Sequence, residues 1–387
     1  MTTDVCVVVP TVREYEACRA YVENAWANGF DVDRLEFVLV TEDHCDTDGM
    51  ADMLDDLGVA GEVFDETRRN RWFAERGLAD YADLIPRRSH AQTSFGLLYL
   101  WANGFAYGVF LDDDTRPRPG VDFFGRHLEN LNDEGPVERV RSDERWVNVL
   151  HQAADEHGLY PRGYPYGAMG ETVETDTATV DDVAVSQGLW TAVPDLDAVR
   201  ILADGDLDGQ SRTRLSPEDY DGNFVAAPGQ YLTLSSMNLA FRREVVPAFY
   251  QLPMDDNPWG VGRFDDIWSG VFLKRACDVL GRAVVSGRPL CVHEKAPRST
   301  FGDLAAEAPG LELNEHLWRV IDDVGAGAGS FAEAYAAMAG ALAAHESDLE
   351  NAGFLRYVGR HMAGWLECLD ALEPTGADPP AAVVADD

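Results

Sequence analysis

Lysine is almost absent from this chain of 387 residues. Of its 31 basic residues, two are lysines, Lys274 and Lys295, and the others are arginines. Acidic residues number 68, and the formal net charge is −37. Without a basic stripe to neutralise phosphates, the chain is a poor partner for nucleic acid. Many carboxylates with so little lysine are typical of cytoplasmic proteins of extreme halophiles, because molar salt shortens the Debye length to about 3 Å and screens the repulsion.

Paired cysteines and long apolar runs are also missing. The six cysteines are scattered without a CxxC pair, which predicts buried thiols rather than disulfides or a zinc site. No run of about 18 apolar residues occurs, and no basic region precedes the first apolar stretch, so we expect neither a signal peptide nor a membrane span. The apolar fraction of 46% is ample for a core, and a soluble, cytoplasmic protein is expected.

Apolar runs alternate with helical periodicity in the first third of the chain. Such alternation predicts an α/β fold with a doubly wound parallel sheet, whose ligands bind beyond the carboxyl ends of the strands. The predicted strands lie at 5–9, 35–40, 58–64 and 108–111, and the predicted helices at 14–28 and 94–105.

Periodicity is lost in the middle of the chain, at about 150–235, where we expect loops and short strands of the kind that often carry a substrate region. Order returns beyond it. The pattern predicts an amphipathic helix at 265–280 with Lys274 on its surface. The other predicted elements are strands at 237–241, 283–285 and 290–292 and helices at 313–323, 330–349 and 354–372, followed by a frayed tail.

Three consecutive aspartates, Asp112, Asp113 and Asp114, follow the strand predicted at 108–111. Carboxylate oxygens are hard ligands that suit Mg²⁺ or Mn²⁺, and a metal at a strand end can hold a diphosphate. Strand alternation would place Asp112 and Asp114 on one side and turn Asp113 to the other, toward a ribose. The alternative is that the acids only end the strand and begin a turn.

Seven short motifs occur in a fixed order along the chain. They are VVPTVRE at 8–14, FLDDDT at 110–115, PRGYPYG at 161–167, VSQGLWTAVPDLDA at 185–198, SSMNLAF at 235–241, GRFDDIWSG at 262–270 and VHEKAP at 292–297. This series resembles the reversibly glycosylated polypeptides, also known as UDP-arabinopyranose mutases.

The resemblance implies a glycosyltransferase A-type fold, with a doubly wound mixed sheet flanked by helices. It implies a nucleotide-sugar-binding domain at 1–300, a C-terminal helical region at 301–372 and a disordered tail at 373–387. It further implies Mn²⁺ (or Mg²⁺), a UDP-sugar ligand, pyranose–furanose interconversion, and a homo-oligomer or a hetero-oligomer with related subunits. His293 would be a third metal ligand; the alternative is a hydrogen-bonded core histidine.

Two positions depart from the family pattern. The family attaches a sugar reversibly to an arginine seven residues before the arginine that corresponds to Arg162, and here that position holds Asp155. No arginine occurs from 146 to 161. In the family's SHGLW motif, Gln187 replaces the histidine.

Several residues are candidates for contacts with the nucleotide and its diphosphate. Because the chain otherwise uses arginine for its positive charge, the presence of Lys295 indicates that a compact charge is needed there, for example to bind a phosphate. Arg87 and Arg88 could clamp the diphosphate or simply carry surface charge. For three further nucleotide candidates the alternative is loop capping: Thr11, Arg13 and Asp43.

Arg162 and the pair Asp265 and Asp266 are the catalytic candidates. Arg162 could stabilise the leaving diphosphate or act as a nucleophile, and we favour the electrostatic role because arginine is seldom deprotonated. One of the two aspartates could be a general base, although acids in a first helical turn also complement the helix dipole. Trp190 and Trp259 could stack on a sugar or pack in the core.

Three functions remain open from the sequence. The first is a metal-dependent UDP-sugar mutase. The second is a metal-dependent glycosyltransferase with a UDP-sugar donor, which would need an acceptor. The third is a noncatalytic nucleotide-sugar-binding subunit.

Overall fold

A computed structural model describes residues 3–13, 17–152, 158–254 and 256–372. Asp155 and the predicted tail therefore lie outside the described residues. The strands are β1 (Val5–Pro10), β2 (Leu35–Val40), β3 (Ala60–Phe64), β4 (Tyr107–Leu111), β5 (Thr115–Pro117), β6 (Gly135–Ser142), β7 (Val173–Val180), β8 (Val183–Ala192), β9 (Phe224–Ala226), β10 (Asn238–Arg242) and β11 (Ala283–His293). The α-helices are α1 (Ala17–Asn28), α2 (Thr47–Asp56), α3 (Glu66–Glu75), α4 (Thr93–Asn103), α5 (Phe123–Asn132), α6 (Ala198–Ala203), α7 (Asp265–Leu280), α8 (Thr300–Ile321), α9 (Phe331–Ala343) and α10 (Gly353–Ala371).

The eleven strands of the described residues form one mixed sheet in the order β3-β2-β1-β4-β10-β8-β11-β9-β6-β7, with β5 paired to β11. Strands β3, β2, β1 and β4 are parallel, β10 runs antiparallel between β4 and β8, and β8 is parallel to β11. The carboxyl ends of β4, β8 and β11 consequently meet at one edge. The predicted α/β class is confirmed as far as one mixed sheet flanked by helices, with further helices at the C-terminal end.

Strong apolar runs produced the best sequence predictions. Every residue of β1 is buried, as is nearly all of β2, which is the pattern of a parallel strand covered on both faces. The predicted thiols are also confirmed, since all six cysteines are free and only Cys45 is not fully buried. Among the described residues no helix is both long enough and apolar enough to cross a membrane.

The prediction of loops and short strands for the middle of the chain is confirmed only in part. Loops and the three-residue β9 are present, but the region also contains β7, with eight residues, and β8, with ten, and β8 lies inside the sheet between β10 and β11. The polar residues that made β8 hard to recognise in the sequence have hydrogen-bond partners in the core. Ser186 contacts His127 Nδ1 at 3.0 Å, and Gln187 accepts a hydrogen bond from Ser286 at 2.9 Å. Burial lowers the pKa of His127 to about 4, so this imidazole stays neutral.

Helix α7 has the predicted bounds but is not amphipathic, because it is buried on nearly all sides between β11 and helices α8 and α9. The prediction that Lys274 lies on the helix surface is wrong. Its side chain is 2% exposed, and its ammonium group contacts both oxygens of Asp278, at 2.6 and 2.7 Å. The strands predicted at 283–285 and 290–292 are one strand, β11, interrupted by a bulge near Gly287.

The contact between α4 and β1 depends on the missing side chain of Gly96, where an added Cβ would lie 2.2 Å from Val8 Cγ1. Because Val8 is fixed in an inner strand, we expect Gly96→Ala to lower the free energy of unfolding by about 1–3 kcal/mol. Gly340→Ala is the matched control, since Gly340 lies in α9 with open space around its Cα. It should raise the free energy by about 0.5–1 kcal/mol. Denaturant unfolding of both variants measures these changes. A Gly96→Ala protein with an undiminished free energy of unfolding would contradict the close packing.

Candidate functional site

A cavity of about 260 Å³ opens at the sheet edge where the carboxyl ends of β4, β8 and β11 meet the first turn of α7. Its lining consists of Arg88, Ser89, His90, Asp112, Asp114, Arg162, Asp195, Met237, Met254, Arg263, Asp265, Asp266, His293, Lys295 and Arg298. A larger cavity of about 400 Å³ lies between α5, β6 and β11, but its lining includes none of the predicted site residues. The smaller cavity is therefore the candidate site.

Opposite charges are concentrated in this cavity. Five arginine and lysine side chains line it, from Arg88, Arg162, Arg263, Lys295 and Arg298, and five carboxylates, from Asp112, Asp114, Asp195, Asp265 and Asp266; His90 and His293 are the two histidines of the lining. In a chain with a net charge of −37, a place where arginine and lysine match carboxylates in number is suited to an anion that would be repelled from the rest of the surface.

Asp112, Asp114 and His293 lie in the cavity together, as predicted. His293 Nδ1 donates a hydrogen bond to the Val193 carbonyl at 2.7 Å, which turns Nε2 toward Asp114 Oδ2 at 3.7 Å. The other oxygen of Asp114 is buried and has no hydrogen-bond partner among the described residues. A backbone carbonyl that fixes the ring of a histidine in this way is common around metal ligands.

The donor set fits a hard divalent cation, although it is not a complete cage. Two ligands that each lie about 2.1 Å from one cation can be at most about 4.2 Å apart, so one ion could contact both His293 and Asp114. Within the described ranges, however, no group of three or more His, Cys, Asp or Glu side chains is arranged to hold a metal ion. Any cation held here would need further oxygen ligands from its substrate.

His90, which the sequence did not single out, lies between two carboxylates of the site. Its Nδ1 is 2.9 Å from Asp265 Oδ2, and its Nε2 is 3.1 Å from Asp112 Oδ1. Burial alone would lower the pKa of His90, but Asp265 and Asp112 raise it well above its ordinary value. Each nitrogen lies within hydrogen-bond distance of a carboxylate oxygen, so a doubly protonated ring can donate to both acids.

Arg162 is held by a buried network of acids. Its Nε is 3.1 Å from Asp195 Oδ2, its Nη2 is 3.4 Å from Asp266 Oδ1, and Nη1 donates to the carbonyl of Arg263. Burial opposes the charge on Arg162, but Asp195 and Asp266 outweigh it and raise the pKa of the guanidinium well above its ordinary value. This arginine therefore stays charged, which favours the electrostatic role over the nucleophilic one.

The neighbouring Asp265 and Asp266 have opposite pKa shifts. Burial would raise the pKa of Asp265, but His90 and then Arg162 bring it below its ordinary value. Burial raises the pKa of Asp266 as well. Arg162 lowers it, but not enough to offset burial, because repulsion from Asp265 raises it further. Pairs of acids with opposed shifts are suited to divide the roles of base and acid between them.

Lys295 presents an unpaired charge to the cavity. The residue is 5% exposed, and its Nζ is buried with no hydrogen-bond partner among the described residues. Burial lowers the pKa of this ammonium group to about 8, although Asp195 opposes the shift. Arg298 and Arg263 line the same wall, so this wall can receive a multiply charged anion.

Asp113 points away from the cavity, as strand alternation predicts. One oxygen accepts a hydrogen bond from the Thr11 hydroxyl at 2.9 Å, and the other contacts Arg13 Nη2 at 2.8 Å. These three predicted residues thus form a small cluster at the ends of β1 and β4, beside the cavity.

Three other predicted residues do not reach the cavity. Both oxygens of Asp43 accept hydrogen bonds from Thr67 in the first turn of α3, which is a capping role. Arg87 pairs with Glu66 at 2.9 Å and is 68% exposed. Trp190 is buried within β8, so its geometry favours core packing.

The remaining positions raised by the sequence also lie in packed regions. Trp259 packs on Phe354 and Tyr357 of α10. Gln187 donates to the Thr233 carbonyl inside the sheet at 3.3 Å and is not part of the cavity lining. The family histidine is thus replaced at a core position.

Sequence reasoning missed part of the cationic wall and its support. Arg263 lies within the GRFDDIWSG motif, with Nε 2.8 Å from the buried Glu307, and its φ of 64° is unusual for a side chain other than glycine. Arg298, just beyond VHEKAP, pairs with Asp303 at 2.9 Å. Asp195 follows β8 by three residues. Proximity to the family motifs was the signal that could have identified all three.

Two solved structures are similar to this chain, with low identity and low TM-scores. A Pyrobaculum calidifontis mannosyltransferase in complex with GDP-Man and Mn²⁺ is 15% identical, with 96% of this chain and 85% of that one covered and a TM-score of 0.39. S. aureus TarS 1-349 in complex with UDP-GlcNAc is 12% identical, covers 96% and 80%, and has a TM-score of 0.38. At such scores neither likeness bears on what this chain binds.

Curated relatives and a family model give the more specific match. A probable UDP-arabinopyranose mutase 2 of Solanum tuberosum is 28% identical over 81% of this chain and 80% of that protein. UDP-arabinopyranose mutase 1 of Arabidopsis thaliana is 30% identical over 66% of each. The family model described as reversibly glycosylated polypeptide matches residues 70–374. The resemblance seen in the motifs is therefore confirmed, and the chain belongs to the reversibly glycosylated polypeptide family.

Proposed function

We propose that this protein binds a UDP-sugar with a divalent cation in the candidate cavity and interconverts the pyranose and furanose forms of the sugar. The observation that carries the proposal is the convergence of predicted residues from four distant motifs of a mutase family on one charge-matched cavity. Seven predicted residues of these motifs line it, together with the predicted Arg88: Asp112, Asp114, Arg162, Asp265, Asp266, His293 and Lys295.

The diphosphate end would lie between the cation ligands and the cationic wall. Asp112, Asp114 and His293 would hold Mn²⁺ or Mg²⁺, and a bound cation would supply the positive charge that binds the diphosphate and stabilises it as a leaving group. Lys295, whose ammonium has no partner among the described residues, would contact phosphate oxygens, with Arg88 nearby. Thr11, Arg13 and Asp113 would contact the nucleoside.

The sugar end would lie near the first turn of α7. Pyranose and furanose rings differ in which sugar oxygen closes the ring on the anomeric carbon. The bond from that carbon to the diphosphate breaks and later forms again, and in between the bond to the old ring oxygen breaks and the bond to a hydroxyl oxygen forms. That hydroxyl loses a proton and the released ring oxygen receives one. Asp265, whose pKa is lowered, would accept the first proton, and Asp266, whose pKa is raised, would supply the second. Arg162 would stabilise the negative charge that develops on the diphosphate.

A glycosyltransferase is the second candidate, because Asp155 stands where the family has the arginine that takes the sugar. The same cavity would then deliver the sugar to an external acceptor. A protein that only binds nucleotide sugars is the third.

Incubation with UDP-arabinopyranose or UDP-galactopyranose, Mn²⁺ and molar salt, followed by chromatography, distinguishes these functions. We expect the ring isomer to form without an acceptor and conversion to stop when EDTA removes the cation. Intact-protein mass spectra before and after incubation would reveal any added pentose or hexose. Turnover only with an acceptor would contradict the mutase in favour of the transferase, and binding without turnover in either assay would contradict both.

A further inference from the structure

We propose that His90 is a positioning residue that aligns the cation end of the cavity with its sugar end. The inference rests on the proposed function, because it assigns Asp112 to the cation and Asp265 to the sugar. Each ring nitrogen of His90 is engaged by one of these carboxylates, Nδ1 by Asp265 at 2.9 Å and Nε2 by Asp112 at 3.1 Å.

The two carboxylates come from elements that are far apart in sequence, and His90 contacts both of them. Asp112 follows β4, and Asp265 begins α7. Like charges brought to one cavity repel each other, and here the imidazole lies between the two carboxylates with one nitrogen within hydrogen-bond distance of each. His90 thereby sets the distance between the two acids.

The backbone around His90 is held firmly enough to fix the geometry of such a link. His90 begins a single turn, His90–Gln92, which Ser89 caps by accepting a hydrogen bond from the amide of Ala91 at 3.2 Å. The Thr93 hydroxyl donates to the His90 carbonyl at 2.6 Å. This turn leads directly into α4, whose Gly96 packs against β1. The turn that bears the imidazole is thus fixed to the sheet through α4.

The link also leaves the outer oxygens of both acids available. His90 takes Oδ1 of Asp112 and Oδ2 of Asp265, so each carboxylate keeps a second oxygen for a ligand. Ser236 Oγ, 3.4 Å from Nε2, is a further polar group that faces the ring. A shift of the ring would therefore turn both free oxygens, one at each end of the substrate.

Two substitutions separate the two halves of the link, because the amide nitrogen of asparagine lies near the position of histidine Nδ1 and that of glutamine near Nε2. His90→Asn should keep the contact with Asp265 and lose the one with Asp112. His90→Gln should do the reverse. His361→Gln is the control, since that ring lies in α10 and contacts Tyr357 of the same helix.

We expect His90→Asn to weaken the binding of Mn²⁺ and UDP about tenfold, with kcat at saturating ligand kept within about threefold. We expect His90→Gln to bind Mn²⁺ and UDP within about threefold of the unaltered protein, while kcat falls at least about tenfold at unchanged KM. Calorimetry measures the first quantity and the mutase assay the second. Equal losses in both variants, or none in either, would overturn the inference.

Failure of the proposed function is distinguishable from failure of this inference. Binding of Mn²⁺ and UDP needs no turnover and tests the Asp112 half by itself. If the unaltered protein shows no mutase activity, the gain in affinity of UDP-galactose over UDP replaces kcat as the measure of the Asp265 half. His90→Gln should then lose that gain and His90→Asn should keep it; the opposite pattern, or no difference, would refute the positioning role.

Discussion

Arg162→Met is expected to lower the free energy of unfolding by about 3–5 kcal/mol, because it leaves two buried carboxylates without their cation. Asp195 and Asp266 have side chains that are 6% and 4% exposed, and Arg162 itself is 11% exposed. These side chains line the cavity but are largely shielded from solvent, so water compensates only in part for the lost guanidinium. Since the same guanidinium is proposed to stabilise the diphosphate, kcat should fall at least about 100-fold in whatever protein remains folded.

The matched control is Arg139→Met, which removes the same group from a surface pair. Arg139 of β6 contacts Asp176 of the edge strand β7, and the two side chains are 30% and 44% exposed. Its thermal midpoint should stay close to that of the unaltered protein, because exposed pairs contribute little. Adding Asp195→Asn to Arg162→Met should restore part of the lost stability by removing one unpaired charge. An Arg162→Met protein as stable as the control would contradict the buried network.

Asp114→Asn is expected to weaken Mn²⁺-dependent binding of UDP at least about 100-fold, because it removes a charged ligand that faces His293 across 3.7 Å. The amide has nearly the same shape as the carboxylate, so the fold should be unchanged. Calorimetric titration with UDP in the presence of Mn²⁺, and again with EDTA, separates metal-dependent from metal-independent affinity. Only the former should be lost.

Asp113→Asn is the internal control for this experiment, since it alters the adjacent acid of the same triplet. Asp113 contacts Thr11 and Arg13 rather than the cavity, so its loss should reduce affinity for UDP without abolishing the response to Mn²⁺. If Asp112→Asn and Asp114→Asn both kept full Mn²⁺-dependent affinity, the cation would have to be held elsewhere.

Continuous apolar strands explain how much of the site the sequence could predict. The carboxyl ends of β1 and β4 are evident from such runs, so the residue order alone places Thr11 and the aspartate triplet at one edge of a sheet. Motif order then added Arg162, Asp265, His293 and Lys295. Apart from Arg162, which lies in the stretch without clear periodicity and was identified by its motif alone, these residues lie near an element whose type and direction were clear.

The remaining features depend on long-range contacts that sequence spacing does not encode. The polar residues Ser186 and Gln187 concealed β8 because their partners, His127 and Ser286, are 59 and 99 positions away. His90 acquires its role only when α7 is brought next to β4. Which way Trp190 and Arg87 point was likewise undetermined, since a strand position or a loop position alone does not decide which neighbours cover it.

The matched charges of the cavity have a kinetic consequence for a protein so negative elsewhere. An approaching UDP-sugar is repelled by the outer carboxylates before it can reach Lys295 and Arg298, and dissolved ions shorten the range of that repulsion. The contact with Lys295, which is 5% exposed, is shielded from those ions by burial. Added salt should consequently speed the encounter while leaving the final contacts largely intact, which is the reverse of the usual behaviour of enzymes that attract anionic substrates.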